Sequence, residues 1–177
     1  VMGQVIKIAL LFCAMGLLSA GTSVQTNPDT NSKMKAIFIY NFARYIEWPK
    51  EYKQGNFVIG LLGDSPLYNE LSNMSKTKKV ATQSIQVQKY NSDSDIGKCH
   101  VLYIPKMNES KLSNALSKLD SAPTLIVTES SDLVNNIPGI NFVIINQRQK
   151  FELNKTKVEN RKLKVSVTLE KLASKVY

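Results

Sequence analysis

The residue types that perform most enzyme chemistry are scarce in this sequence. It holds one histidine, His100, and two cysteines, Cys13 near the start and Cys99 beside the histidine. Adjacent residues of a strand project to opposite faces of the sheet, so Cys99 and His100 cannot bind one metal ion together. His100 lies in an apolar run, CHVLYIP, which favours a hydrogen-bonded structural histidine. The same run predicts that Cys99 is a buried, unreactive thiol.

No motif for catalysis or cofactor binding stands out. A serine or cysteine nucleophile would need a base, and His100 is the only imidazole. The sequence contains no G-x-G-x-x-G, Walker loop, G-x-S-x-G or H-E-x-x-H. A G-D-S-P turn at residues 63–66 could place an anion at a helix N-terminus, but Asp64 would repel it, and helix capping is favoured. We expect no catalytic residue, no metal site and no cofactor.

The charge balance favours an acidic or lipid surface over nucleic acid. The formal net charge is +9 and the sequence pI is about 9.5. Lysines concentrate at residues 76–89 and 150–164, without the interleaved aromatic residues that a stacking platform for bases needs. Anionic headgroups or an acidic partner protein suit this charge, and a solvated lysine-rich surface is the alternative. We expect no nucleic-acid partner.

Residues 1–21 are typical of a secretory signal peptide. Lys7 precedes the apolar run IALLFCAMGLLSA, which ends in small residues and is short for a membrane span. An uncleaved anchor is the alternative. Cleavage would remove Lys7 and Cys13, which lowers the net charge to +8 and leaves Cys99 without a disulfide partner. The polar residues 22–32 are predicted to form a disordered leader.

The segment KMKAIFIYNFARYIEWP at residues 33–49 predicts a helix that Pro49 ends. This first helix is apolar on more than one side, so it is either buried on two sides or buried on one and offered to a partner. The pattern predicts a main apolar stripe of Met34, Ile37, Phe38, Phe42, Tyr45 and Ile46, with a second flank of Ala36, Ile39, Tyr40 and Ala43.

The rest of the chain alternates strand-like and helix-like runs. This pattern predicts an α/β fold, a three-layer sandwich with a mostly parallel sheet of about five strands, flavodoxin-like or Rossmann-like. We expect one domain over residues 33–177. The strands are predicted at residues 57–62, 84–90, 99–105, 123–129, 140–146 and 151–154, the last one antiparallel to its neighbour. Helices are predicted at residues 67–74, 109–119, 155–161 and 167–176, with a single turn at 130–134.

Several motifs in fixed order resemble the YfiR family of periplasmic regulatory proteins. They cover nearly the whole chain after residue 33. In order they are N-F-A-R-Y-I-E-W-P, G-D-S-P, C-H-V-L-Y-I, G-I-N-F, K-F-E-L-N and L-K-V-S. The sequence departs from the family in two places: Cys99 has no partner for a stabilising disulfide, and Lys162 stands where the family often has glycine before L-K-V-S.

The resemblance implies a function that residue chemistry alone does not give. YfiR-like proteins bind the periplasmic sensor domain of an inner-membrane diguanylate cyclase and hold cyclic-di-GMP production down, which restrains biofilm formation. The resemblance therefore implies a periplasmic, non-enzymatic inhibitor of a membrane-bound signalling protein. A diguanylate cyclase is the expected partner, and a sensor kinase is the alternative. A small-molecule sensor that uses the cleft at the strand ends is the alternative.

The residues that we expect at the partner-binding site are Arg44, Glu47 and Trp48, where the first helix ends. Arginine and tryptophan are enriched at the energetic centres of interfaces. The hypothesis covers direct contact and positioning, and it predicts that Trp48→Ala weakens partner binding while the fold stays intact. A symmetric dimer through the apolar flank of the first helix is a further possibility.

Overall fold

A computed structural model describes residues 30–133 and 136–177. The predicted signal peptide and the predicted leader up to residue 29 lie outside the described residues. The first helix begins at Thr30, within the segment that we predicted as leader. No helix in the described ranges is long and apolar enough to cross a membrane.

Five α-helices, ten strands and three short 3-10 helices (Lys50–Tyr52, Asp93–Asp95 and Lys106–Lys111) make up the regular structure of the described ranges. The helices are α1 (Thr30–Tyr45), α2 (Leu67–Ser75), α3 (Leu112–Leu119), α4 (Lys155–Glu159) and α5 (Val167–Leu172). The strands are β1 (Ile46–Glu47), β2 (Phe57–Leu62), β3 (Lys79–Val80), β4 (Gln83–Tyr90), β5 (Val101–Ile104), β6 (Leu125–Thr128), β7 (Ile140–Ile145), β8 (Arg148–Leu153), β9 (Lys164–Val165) and β10 (Lys175–Val176).

The main sheet has eight strands in the order β10-β8-β7-β6-β5-β2-β4-β3. Its five central strands, β4, β2, β5, β6 and β7, are all parallel. Numbered along the chain, these five follow the order 2-1-3-4-5 of flavodoxin-like folds. The predicted α/β fold is therefore confirmed, and the predicted antiparallel pairing of the FELN strand is confirmed by β7 and β8. Short edge strands extend the sheet beyond the expected five.

Helices cover both faces of the sheet, as a three-layer sandwich requires. Because side chains alternate along a strand, Ile59 and Leu61 of β2 join the core under α1 and α2, whereas Leu62 joins the core on the opposite face under α3. Cys99 and His100 lie just before β5, which begins at Val101 rather than at the predicted residue 99; Cys99 joins the second core, and His100 faces Phe57 of the first core. The predicted separation of the cysteine from the histidine is thus confirmed.

The buried side of α1 differs from the predicted main stripe. Its buried apolar residues are Ala36, Ile39, Phe42 and Ala43, whereas Met34 and Ile37 are 38% and 40% exposed. Of the apolar residues that we placed on the main stripe, Met34 and Ile37 were therefore assigned to the wrong side. The two alanines let the helix approach the sheet closely, so this side packs better than a side carrying longer chains at every turn.

The helix also ends earlier than predicted, at Tyr45 rather than next to Pro49. Ile46 and Glu47 leave the helix to pair antiparallel with Val165 and Lys164, which forms the two-stranded sheet β1–β9. A similar correction applies to the last predicted helix, which stops at Leu172 because the chain then adds β10 to the main sheet. The predicted turn at 130–134 is not helical over residues 130–133.

Lys162 adopts the left-handed backbone conformation that a glycine would take at no steric cost. Its φ is 60°, and its amide donates to the carbonyl oxygen of Glu159 where α4 ends. We expect Lys162→Gly to raise the free energy of unfolding by about 1 kcal/mol, because a Cβ in this conformation costs roughly 1–2 kcal/mol and the freer unfolded glycine returns part of that gain. Urea unfolding measures the change. Lys162→Ala is the control, since it removes the charge but keeps the Cβ; equal stability of the two variants would contradict the argument.

Candidate functional site

The three residues predicted at the partner-binding site line one groove. Its volume is about 720 Å³, and we call it the exit groove; its walls are residues 43–48, Lys53, residues 80–83, residues 164–166 and Thr168. It lies where α1 ends and where β2 and β4 begin, which is the amino-terminal edge of the parallel strands. Three elements therefore build it: the end of α1, the small sheet β1–β9, and the hairpin of β3 and β4.

Arg44 and Glu47 present their charges at the mouth of the exit groove. Both are exposed. The Arg44 guanidinium lies over the ring of Tyr40, 5.5 Å from its centroid. The Glu47 carboxylate is 3.4 Å from the Lys164 ammonium across β1–β9, and an exposed pair of this kind orients side chains more than it stabilises the fold.

Trp48 is buried beneath these two residues. Its indole is 5% exposed, and the indole N–H donates to the carbonyl oxygen of Ala43 at 3.0 Å. The ring packs edge-on against Phe57, with the centroids 5.2 Å apart. Trp48 therefore forms part of the support of the groove, and a role in positioning Arg44 and Glu47 fits its burial better than direct contact. Because the side chain is buried, we expect Trp48→Ala to lower stability, which differs from the intact fold expected from the sequence.

His100 stands behind Trp48 and is a structural histidine, as predicted. It is 3% exposed and stacks on Phe57, with the centroids 4.2 Å apart. Its Nδ1 accepts from the Val58 amide at 3.0 Å, so its Nε2 carries the proton and donates to the Tyr52 carbonyl oxygen at 2.7 Å. Burial lowers the pKa of His100 below its ordinary value of 6.5; the hydrogen bond to Tyr52 opposes this shift, and the nearby charge of Lys98 adds to it.

Gln83 is a site-building residue that the sequence did not reveal. Its side-chain amide is buried, and its two N–H groups are shared among three backbone carbonyl oxygens, those of Tyr52, Gln54 and Gly55, at 3.1, 3.3 and 3.3 Å from Nε2. These bonds fasten the loop that carries Lys53 to the first residue of β4. A glutamine at the start of an alternating strand has no sequence signal that distinguishes it from an exposed one.

The hairpin wall of the groove contains a strained residue. β3 and β4 are joined by the two residues Ala81 and Thr82, because Val80 pairs with Gln83. Ala81 has a φ of 50°, which a two-residue hairpin loop requires and which glycine usually supplies. The surrounding pairing holds the alanine in this conformation, so the wall is preformed.

Charge on the exit groove is mainly positive. Its cations are Arg44, Lys53 and Lys164, and its one carboxylate, Glu47, is shared with Lys164. Arg44 and Lys53 have no carboxylate partner within the described ranges. Beneath the rim the walls are apolar, with buried Ala43, Ile46 and Val80 and half-buried Val165.

A second crevice lies at the opposite, carboxyl-terminal edge of the sheet. It occupies about 470 Å³ between the loops that follow β2 and β5, where the strand order reverses. Its carboxylates are already paired, Asp64 with Lys89 at 2.8 Å and Glu129 with Lys35 of α1, whereas Lys106 contacts the Ser131 hydroxyl at 3.2 Å and has no carboxylate partner in the described ranges. The crevice matches the cleft at the strand ends that the alternative hypothesis needs.

Cys99 belongs to neither cavity. It is a free thiol, fully buried on the α3 face of the sheet, and burial raises its pKa to about 12. No group of three or more histidine, cysteine or acidic side chains that could hold a metal ion occurs in the described part of the chain.

Comparison with known proteins identifies a family and a fold. The model of the family described as YfiR/HmsC-like matches residues 32–174. No curated protein matches the chain. Among solved structures, the chain is similar to the ABC domain in complex with L-Trp from Streptococcus pneumonia, with a TM-score of 0.55 and 12% identity over 83% of this chain. The chain spans 60% of that structure's length, and at this identity the likeness concerns the fold alone.

Replacing the buried indole tests its role in stability. We expect Trp48→Ala to lower the free energy of unfolding by about 3–5 kcal/mol, the usual cost of truncating a buried aromatic side chain. Trp48→Phe keeps most of the packing and loses the hydrogen bond to the Ala43 carbonyl, which should lower the free energy of unfolding by about 1 kcal/mol. The smaller ring adds a further loss of packing. Urea unfolding of both variants measures the difference. If Trp48→Ala were as stable as the wild type, the indole would not support the fold in the way that its burial indicates.

The hydrogen bonds of His100 predict how stability changes with pH. Because the folded pKa is lowered, the unfolded chain binds the proton more readily, so this contribution is complete above pH 6.5 and is lost as the pH falls from 6.5 towards the folded pKa. We expect the free energy of unfolding to fall between pH 7 and pH 5.5, measured by urea unfolding. His100→Gln, which keeps a donor and an acceptor, should flatten this profile; an unchanged slope would show that other groups cause it.

Proposed function

Because the chain belongs to the YfiR/HmsC-like family, we propose that it is a periplasmic, non-enzymatic regulatory protein that binds and inhibits the extracytoplasmic domain of an inner-membrane signalling protein. A diguanylate cyclase is the partner that we favour, so the protein would restrain cyclic-di-GMP production and biofilm formation. A membrane-bound sensor kinase is the alternative partner. We also propose that residues 1–21 form a signal peptide, residues 22–29 a leader, and the remainder a single domain.

The observation that carries the proposal is the exit groove. Arg44 and Glu47 are exposed at its mouth, and Trp48 lies beneath them, so the residues selected from the sequence share one surface. The groove combines cations without carboxylate partners and apolar walls, which suits a protein partner. It needs no nucleophile, metal ion or cofactor for this task.

Inhibition of this kind is a population shift. A binder that prefers the inactive conformation of a membrane sensor biases the sensor only by the difference between its two affinities. To move a sensor from 1:99 to 99:1 in favour of the inactive state, that difference must reach about 10⁴-fold. A preformed groove is suited to this because little of its binding energy is consumed in ordering the binding surface.

The crevice at the carboxyl-terminal edge favours a second candidate function, a periplasmic small-molecule sensor. Flavodoxin-like sheets bind ligands at the point where the strand order reverses, and the crevice between Pro66 and Pro105 occupies that point. A small molecule that co-purifies with the protein and raises its melting temperature would favour this function.

A crosslinked pull-down of the tagged full chain from the envelope of its source cell tests the main proposal. We expect a diguanylate cyclase or sensor kinase to be enriched, crosslinked through its extracytoplasmic domain, and cyclic-di-GMP to rise when the protein is deleted. Arg44→Glu should reduce the capture because it reverses a groove cation. Lys118→Glu is the matched control, because Lys118 is an exposed residue of α3 on the other face of the sheet. No enriched membrane signalling protein, together with a bound small molecule, would contradict the proposal and support the sensor.

A further inference from the structure

We propose that the exit groove receives an acidic segment of the partner's extracytoplasmic domain and seats one apolar side chain of that segment between its walls. This inference rests on the proposed function and adds the chemistry of the partner. It is drawn from the distribution of charge over the two edges of the sheet, the apolar walls of the groove and the preformed hairpin.

The cations of the exit groove are the first argument. Arg44 and Lys53 have no carboxylate partner in the described part of the chain, and Lys164 shares Glu47 at 3.4 Å. Exposed cations attract carboxylates over distances of about a Debye length, roughly 8–10 Å at physiological salt. A segment with several acidic residues therefore approaches this mouth faster than a neutral one and binds it with complementary charge.

The contrast with the opposite edge strengthens this argument. At the carboxyl-terminal edge, Lys89 is paired with Asp64 and Lys35 with Glu129, which leaves Lys106 as the crevice cation without a carboxylate partner in the described ranges. An acidic partner would have to displace these carboxylates to reach Lys89 and Lys35, and Lys106 already contacts the Ser131 hydroxyl, whereas the exit groove offers both Arg44 and Lys53 without a carboxylate partner in the same ranges. Of the two edges, the amino-terminal one is therefore the better electrostatic match for an acidic segment.

The walls of the groove set the second requirement. Ala43, Ile46 and Val80 are buried and Val165 is half-buried, so the space between the cations is lined by short apolar side chains. A volume of about 720 Å³ accommodates a peptide segment and not only a single ion. An apolar side chain surrounded by a charged rim is the usual arrangement of an interface centre.

The third argument is that the groove is preformed. The left-handed Ala81 is held by the pairing of Val80 with Gln83, and Gln83 in turn binds three carbonyl oxygens of the loop that carries Lys53. Strained residues persist where their surroundings over-determine them, and such positions concentrate at binding sites. A partner segment therefore meets walls that are already in place.

Site-specific photocrosslinking in the source cell tests the proposal. The full chain carries either Thr168→p-benzoylphenylalanine, at the exposed rim of the groove, or Met107→p-benzoylphenylalanine, at the carboxyl-terminal edge, where Met107 is 76% exposed. We expect the probe at Thr168 to capture the extracytoplasmic domain of an inner-membrane signalling protein. The crosslinked peptide, identified by mass spectrometry, should contain several Asp or Glu residues around an apolar one.

Charge reversal provides the matched comparison. Adding Lys53→Glu to the Thr168 probe should reduce the crosslink roughly tenfold or more, and raised salt should reduce it as well, because both weaken the same attraction. Adding Lys118→Glu makes the same change of charge on the other face of the sheet and should leave the crosslink unchanged. Thermal unfolding of each variant confirms that it is folded.

The outcomes separate the two proposals. Capture of a membrane signalling protein by the Met107 probe and not by the Thr168 probe would overturn the acidic-segment proposal and leave the proposed function standing. Capture at Thr168 of a segment without acidic residues would also overturn it. If neither probe captures a membrane signalling protein and the pull-down enriches none, the proposed function fails as well.

Discussion

The carbonyl oxygen of Tyr52 is the point on which the amino-terminal edge of this fold depends. It accepts the His100 Nε2 proton at 2.7 Å and a side-chain amide proton of Gln83 at 3.1 Å. A buried carbonyl or imidazole left without a partner would cost about 1–3 kcal/mol. The loss of one of these hydrogen bonds would therefore weaken the whole network. Through His100 the network reaches Val58 of β2, and through Gln83 it reaches β4. The loop before the sheet and the two neighbouring strands are thereby fixed to one another, and the Trp48 ring packs edge-on against His100 with the centroids 5.4 Å apart.

The candidate binding surface takes its shape from this buried network. Arg44 and Glu47 are exposed, but the residues on which they stand are not: Trp48 closes the end of α1 through the Ala43 carbonyl and packs on Phe57. The shape and rigidity of this surface therefore depend on buried residues that do not reach solvent themselves. Substitutions in this buried support would change the shape of the surface as well as the stability of the fold, so each binding measurement on this surface needs a stability measurement beside it.

Local sequence pattern predicted the elements well and their long-range partners poorly. The run FVIGLL predicted β2 at its observed bounds, Phe57–Leu62, because an apolar run bounded by Gly and Asn signals identifies a buried strand. The end of α1 was wrong because Ile46 and Glu47 are recruited by β9, a partner far along the chain that periodicity cannot reveal. The wrong assignment of Met34 and Ile37 also has a long-range cause, because the packing of Ala36 and Ala43 against the sheet decides which side of α1 is buried. Arg44, Glu47 and Trp48 were chosen by residue type, which locates a surface but cannot distinguish the exposed members from the buried support.

Buried Cys99, the one cysteine in the described ranges, can report local opening of the fold. With its thiol inaccessible and its pKa raised to about 12, it holds almost no thiolate at neutral pH while the chain is folded. A thiol reagent can therefore modify this position only in molecules that have opened the α3 side of the core. The rate of thiol labelling at Cys99 therefore measures how often this side of the core opens, and the measurement needs no engineered probe.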